Sequence, residues 1–262
     1  MNMYLVDYHT HPASHGEDEI RPLQNSDLLK QYVQNAENKN INELGFSDHD
    51  SFLDVYKWEN LKLIKKNSNI DIKLGIEVDY FPDKEEEIKI KLNKLPIDYV
   101  IGSVHHIGEW NFDHEKYIEN YDEWDINELY KSYYNILKKA VKSELFDIIG
   151  HLDLIKVFNN KINKMKELSL VKPVLHEIKV NGMAIEVNVN GLNKPVQEIY
   201  PAKYIIEEAV NMEVPITFGS DAHRADRVGE NIDFVYEMLK KLGVSRIASF
   251  DQRELILTDI KR

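Results

Sequence analysis

Short apolar runs bounded by polar or turn residues alternate along the chain with longer stretches in which apolar positions recur every three or four residues. Runs of the first kind read as buried strands and stretches of the second as amphipathic helices, which together make an α/β pattern. The strand candidates are Tyr4 to Val6, Leu44 to Phe46, Lys73 to Ile76, Tyr99 to Ile101, Asp147 to Ile149, Ala184 to Val187 and Ile216 to Phe218. Their number is near that of the common parallel barrel. Between them, Ser26 can cap a helix whose Leu28, Leu29, Tyr32, Val33 and Ala36 share one face. Further stripes are Leu129, Tyr133, Ile136, Leu137, Ala140 and Val141; then Val171, Val174, Leu175 and Ile178; then Tyr204, Ile205, Ala209 and Val210. Phe234, Val235, Met238 and Leu239 make the last. From Arg246 to Ile260, two apolar runs around Asp251-Gln252-Arg253 predict a hairpin or a closing strand.

The stretch from Ile107 to Asp125 breaks the alternation and carries Trp110, Phe112, Tyr117, Tyr121 and Trp124. An aromatic-rich insertion of this kind is a candidate active-site cover, with packing over a helix as the alternative. No repeat, low-complexity tract or linker interrupts the 262 residues, so a single domain over 1–262 is expected.

Charge and composition narrow the chemistry. With 45 acidic against 33 basic residues, the formal charge of −12 opposes binding to a long nucleic acid. The chain has no cysteine, so a metal must be held by imidazole and carboxylate, a donor set that suits zinc, manganese or iron. No basic segment followed by a long apolar run opens the chain, and no stretch reaches the length of a membrane span. Cytoplasmic residence without a membrane partner is the expectation.

Nearly every candidate strand ends in a metal-competent side chain. The first is followed by His9-Thr10-His11 and then His15, the second by Asp48-His49, the third by Glu77. The fourth runs through Gly102-Ser103-Val104 to His105, the fifth through Gly150 to His151, and the last through Gly219-Ser220 to Asp221-Ala222-His223. Residues separated by one position in an extended segment point to the same side, so His9 and His11 can grip one ion. In a parallel α/β barrel all strand C-termini open onto one face. Taken singly, His49 or His151 reads as a satisfied core histidine, Glu77 as an ion-pair partner and Asp221 as a helix cap. Taken together, buried imidazoles and carboxylates at the same end of different strands call for cations and predict one polynuclear site. His114, in a polar loop, and His176, on a helix, fall outside it; His106 should point away from His105 and pack.

These residues resemble the polymerase and histidinol phosphatase (PHP) superfamily in Asp7-Tyr8-His9-Thr10-His11, Ser47-Asp48-His49, Gly75-Ile76-Glu77, Gly102-Ser103-Val104-His105, Gly150-His151-Leu152-Asp153 and Gly219-Ser220-Asp221-Ala222-His223. Within it, Asp98 to His105, Gly150 to Lys156, and Glu186-Val187-Asn188-Val189-Asn190-Gly191-Leu192 followed by Lys194-Pro195 resemble the histidinol-phosphate phosphatase branch. The resemblance runs from Met3 to about Gly243. It implies a distorted seven-stranded (β/α) barrel, TIM-barrel-like, holding three divalent ions. By the same resemblance His9, His11, Glu77 and Asp221 hold the first ion, Glu77, His105 and His151 the second, and His15, His49 and His223 the third, with Glu77 bridging. Asp48 would orient a ligand. The implied reaction is hydrolysis of a small phosphate monoester, L-histidinol phosphate, by a water activated between two ions.

Where relatives in the branch carry arginines, this chain has Lys156 and Asn193. Lysine offers phosphate a point charge and asparagine none, whereas arginine clamps it bidentately. Lys156, Asn193, Lys194, Arg224 and Arg227 are therefore the candidate substrate contacts. The same frame would serve a phosphotyrosine phosphatase or an oligonucleotide phosphoesterase. A non-catalytic metal-binding module is the alternative from another class, and its mark would be missing ligands.

Overall fold

A computed structural model describes residues 3–15, 19–20 and 26–260, with backbone alone for 14–15, 19–20 and 26. Seven strands, β1 (Leu5–Asp7), β2 (Ile41–Phe46), β3 (Asp71–Asp79), β4 (Tyr99–Ser103), β5 (Ile148–Ile149), β6 (Ala184–Asn188) and β7 (Ile216–Gly219), form one sheet whose spatial order follows the chain. Sequential order is what right-handed strand–helix–strand crossovers produce when each new strand is laid beside the last. Each expected run is a strand; β3 is longer than its apolar run because it continues through Glu77 to Asp79.

The chain divides into two compact units. The first comprises Met1–Val78, Pro96–Ile101 and Ile216–Arg262. Here β1 pairs in parallel with β2, and β2 with β3 in the register Glu43↔Asp71 to Phe46↔Leu74. Tyr8 N donates to Phe218 O at 3.0 Å, which brings the end of the first strand beside the last. Leu5, Val6, Leu44, Phe46, Ile76 and Phe218 are all buried. Each such side chain contributes about 1.5–3 kcal/mol of hydrophobic stabilisation. Gly75 lies under the Tyr99 ring, where a Cβ would collide with the aromatic carbons.

Helices α1 (Ser26–Asn38), α2 (Trp58–Asn67) and α7 (Ile232–Lys241) belong to this unit. The last one corrects the expected stripe. Ile232, Val235, Tyr236 and Leu239 are buried, at the i, i+3, i+4, i+7 spacing of one helical face, while Phe234 is 54% exposed. Strands β8 (Arg246–Asp251) and β9 (Glu254–Asp259) form the antiparallel hairpin expected near the C-terminus. Gln252 and Arg253 at its tip have φ of 49° and 68°, the left-handed pair a two-residue turn of matching twist requires.

The second unit comprises Asp79–Leu95 and Gly102–Pro215 and holds α3 (Glu85–Leu92), α4 (Ile126–Lys142), α5 (Lys164–Val180) and α6 (Lys203–Asn211). Asp125 caps α4 by accepting from Asn127 N at 2.9 Å and Glu128 N at 3.2 Å. The aromatic insertion is anchored from below. Phe112 is buried against Tyr133 with ring centroids 5.5 Å apart, and Tyr121 OH donates to Ile155 O at 3.2 Å. Trp110 and Trp124 stack at 6.4 Å over that base. Among the described residues no helix is long and apolar enough to cross a membrane.

Candidate metal centre

In the first unit, the residues that carry chemistry lie at or just past the C-terminal ends of β1, β2, β3 and β7. His9 and His11 are fully buried, with ring centroids 4.9 Å apart. Glu77 Oε2 faces His9 Nε2 at 3.3 Å, His11 Nε2 at 3.6 Å and His49 Nδ1 at 2.9 Å. Asp221 Oδ1 faces His11 Nε2 at 3.3 Å. Nitrogen and oxygen ligands about 2.1 Å from a tetrahedral ion stand about 3.4 Å from one another. The His9–Glu77, His11–Glu77 and His11–Asp221 separations cluster around that edge length. His11 Nδ1 is buried and has no hydrogen-bond partner among the described residues. The donor set therefore fits a divalent cation.

A second group forms from the rings of His11, His49 and His223. The His11 ring centroid lies 4.7 Å from that of His49 and 4.3 Å from that of His223, which are themselves 6.5 Å apart. His15, expected with His49 and His223, has a side chain outside the described ones. Asp48 is buried, and its Oδ1 accepts from Ala13 N at 2.8 Å, so it fixes the backbone that follows His11.

Burial sets the charge states here. It is the first cause lowering the His11 imidazole well below its ordinary value, reinforced by His223 and opposed by Asp221. His223 is lowered for the same reason, with Asp221 pulling the other way. Burial by itself would raise the Asp221 carboxyl, but His9, His11 and His223 outweigh it and hold the group well below the usual carboxylate range. Neutral imidazole beside ionised carboxylate is the state in which both ligate.

In the second unit, His105 Nε2 and His151 Nε2 lie 3.3 Å apart, again the spacing of two ligands on one ion. The Asp79 carboxylate is hydrogen-bonded to His105 Nδ1. That leaves Nε2 as the ligating nitrogen of His105. His151, at φ 20°, is held by its own backbone: its N–H donates to Glu186 Oε2 at 2.9 Å. His106 packs on the Phe81 ring at 5.1 Å, and His114 Nδ1 accepts from Lys116 N, as expected of residues outside the site.

The candidate substrate contacts are differently placed. Lys156 is only 2% exposed, and its Nζ meets Asp153 Oδ2 at 2.8 Å, Ile199 O at 2.9 Å and Glu198 Oε2 at 3.4 Å. Asn193 and Lys194 are exposed on the turn after β6. Arg224 grips Asp226 through two nitrogens, at 2.6 and 3.1 Å, and Arg227 pairs with Glu230 at 2.9 Å.

Asp79 and Glu186 escaped sequence reading. For Asp79 a signal existed: it stands two positions after Glu77 on the same strand, hence on the same face. Glu186 stands in a run that carries the branch resemblance, but nothing local pointed to its partner, a backbone N–H 35 residues away.

The family model for the PHP domain matches residues 7–190. The chain belongs to the PHP family. Within it, the chain falls in the histidinol-phosphatase branch. A PHP relative from Deinococcus radiodurans, named a probable histidinol-phosphatase, is 35% identical over 190 residues, covering 71% of this chain and 70% of its own. The histidinol-phosphatase of Bacillus subtilis is 28% identical over 249 residues, covering 79% of this chain and 91% of its own. Among solved structures, the histidinol phosphate phosphatase of Lactococcus lactis, complexed with zinc, L-histidinol and phosphate, superposes with a TM-score of 0.80 at 23% identity. It covers 97% of this chain and 100% of its own, and the likeness is one of fold: the TIM-barrel-like α/β class expected from the strand pattern.

Proposed function

We propose that this PHP protein is a metal-dependent phosphatase, built as one domain, that hydrolyses L-histidinol phosphate to L-histidinol and phosphate. The observation that carries the reading is the convergence of buried His9, His11 and Glu77 at ligand spacing, with the partly exposed Asp221 carboxylate 3.3 Å from His11. The names of the relatives from Deinococcus radiodurans and Bacillus subtilis support the substrate. In this reading His9, His11, Glu77 and Asp221 hold one divalent ion, His49 and His223 with His15 another, and His105 and His151 contribute to a third, the metals being zinc, manganese or iron. Ions held there would supply a hydroxide nucleophile near neutral pH, by lowering the pKa of water, and would offset the charge on the phosphoryl oxygens.

The protein's own groups prepare that chemistry. The depressed His11 and His223 imidazoles accept an ion without first shedding a proton. Asp221 stays ionised beside them. Asp79 fixes the tautomer of His105, Glu186 the turn at His151, and Asp48 the chain after His11. Asn193 and Lys194 are the exposed candidates for the phosphate, while Arg224 and Arg227 are paired with Asp226 and Glu230.

The test is phosphate release from L-histidinol phosphate, a phosphotyrosine peptide and a short oligonucleotide, with zinc, manganese and iron supplied in parallel. Turnover of the amino-alcohol phosphate well above the other two is expected, and chelation should abolish it. A preference for phosphotyrosine or oligonucleotide would replace the substrate; no release from any ester would remove the enzyme reading.

A further inference from the structure

Asp7, the last residue of β1, is a buried carboxylate that the proposed ligand sets do not use. Ser220 N donates to its Oδ1 at 2.8 Å, and Ser220 Oγ and Gly229 N donate to its Oδ2 at 2.6 and 2.8 Å. The backbone N–H of His9 is a further donor to it. Two carboxylate oxygens offer about four acceptor sites, so Asp7 is saturated by neutral donors. Those donors are not scattered: Ser220 immediately precedes Asp221, and His9 is itself a candidate ligand.

Asp221 has φ 53°, the left-handed conformation that aspartate and asparagine adopt more readily than other residues with a side chain. Asp7 grips the peptide just ahead of it. Around the same point the two strand ends are laced by Tyr8 N to Phe218 O at 3.0 Å, Ala222 N to His9 O at 3.2 Å and His11 N to Ala222 O at 2.9 Å.

We propose that Asp7 is a positioning residue for the metal centre: by tying Ser220 and His9 to one carboxylate, it sets the distance between the His9 and His11 imidazoles and the Asp221 carboxylate. It touches neither ion nor substrate. The inference rests on the metal-site reading of the first unit. In Asp7→Asn an amide NH₂ replaces one acceptor and, whichever oxygen it replaces, faces a backbone N–H of Ser220 or Gly229, so at least one of these ties is lost although the volume is kept. Ser220→Ala removes only the hydroxyl bond and leaves the three backbone bonds.

The test is titration of chelator-stripped wild type, Asp7→Asn and Ser220→Ala with Zn²⁺ and Mn²⁺ against a fluorescent chelator, with circular dichroism to identify folded protein. The expected result is a loss of affinity at one ion site of about 10- to 100-fold in Asp7→Asn, the range for groups that orient ligands. A smaller loss in the same direction is expected in Ser220→Ala, with turnover returning toward wild type at saturating metal. Wild-type affinity in folded Asp7→Asn would overturn the proposal. Should that variant not fold, wild-type affinity in Ser220→Ala would do the same. Wild-type protein that takes up no metal would sink the metal-site reading and this inference with it.

Discussion

Replacing Lys156 with methionine separates two roles the residue can play. Lys156 and Asp153 are 2% and 0% exposed, and their charged atoms are 2.8 Å apart. Removing one member of a buried, hydrogen-bonded ion pair costs about 3–5 kcal/mol, because the remaining charge stays out of water without its partner. For a chain of this size that lowers the apparent melting temperature by roughly 6–20 °C. Methionine keeps most of the volume, so packing adds little. The pH dependence is diagnostic. Burial already raises the Asp153 carboxyl, and Lys156 is the main group pulling it back. Without Lys156 it rises further, so the folded state binds the proton more tightly than the unfolded chain. Between the unfolded value near 3.8 and the raised folded value, stability then falls as pH rises. The variant should therefore be most impaired at neutral and alkaline pH and recover on mild acidification. Asp153→Asn in the Lys156→Met background should restore part of the loss. The assay is thermal unfolding across pH 5–8 beside KM for the phosphate ester. A raised KM with unchanged melting temperature would refute the ion-pair argument and make Lys156 a phosphate ligand.

Asp79→Ala should weaken metal binding about 10- to 100-fold by removing the acceptor that orients His105; unchanged affinity in a chelator competition would exclude that role. Metal-stripped protein should lose stability as pH falls below about 6.5, because His11 and His223 are depressed when folded and the unfolded chain takes up protons first. Melting curves from pH 8 to 5 check this, and saturating metal should reduce the slope above the point where protons displace it.

Local pattern carried much of this protein. The strand runs are apolar because the strands are buried on both faces, and the helical stripes of α1, α4 and α5 follow the 3.6-residue period, whereas α6 buries Ile206 with Ile205 and Ala209 and leaves Tyr204 and Val210 partly exposed. Where local pattern was ambiguous it did not decide the element or its buried face. Helix α3 contains Ile88-Lys89-Ile90-Lys91-Leu92, an alternation of period two, yet Ile88 and Leu92 are buried and Ile90 is 56% exposed, as a helix requires. In α7, four apolar candidates were available, and packing selected a face that leaves Phe234 outside.

By itself, the sequence determined the class of chemistry: imidazole and carboxylate at successive strand ends, no thiol, and motifs that place the chain in the PHP family. Those are properties of residue type and short spacing. Tertiary structure decided which groups are partners. Asp7 and Ser220 stand 213 residues apart, and no periodicity links them. Sequence likewise assigns Lys156 a charge but not an environment; folding places that charge beside Asp153, out of water, where Coulomb attraction and desolvation govern it rather than encounter with a dissolved phosphate.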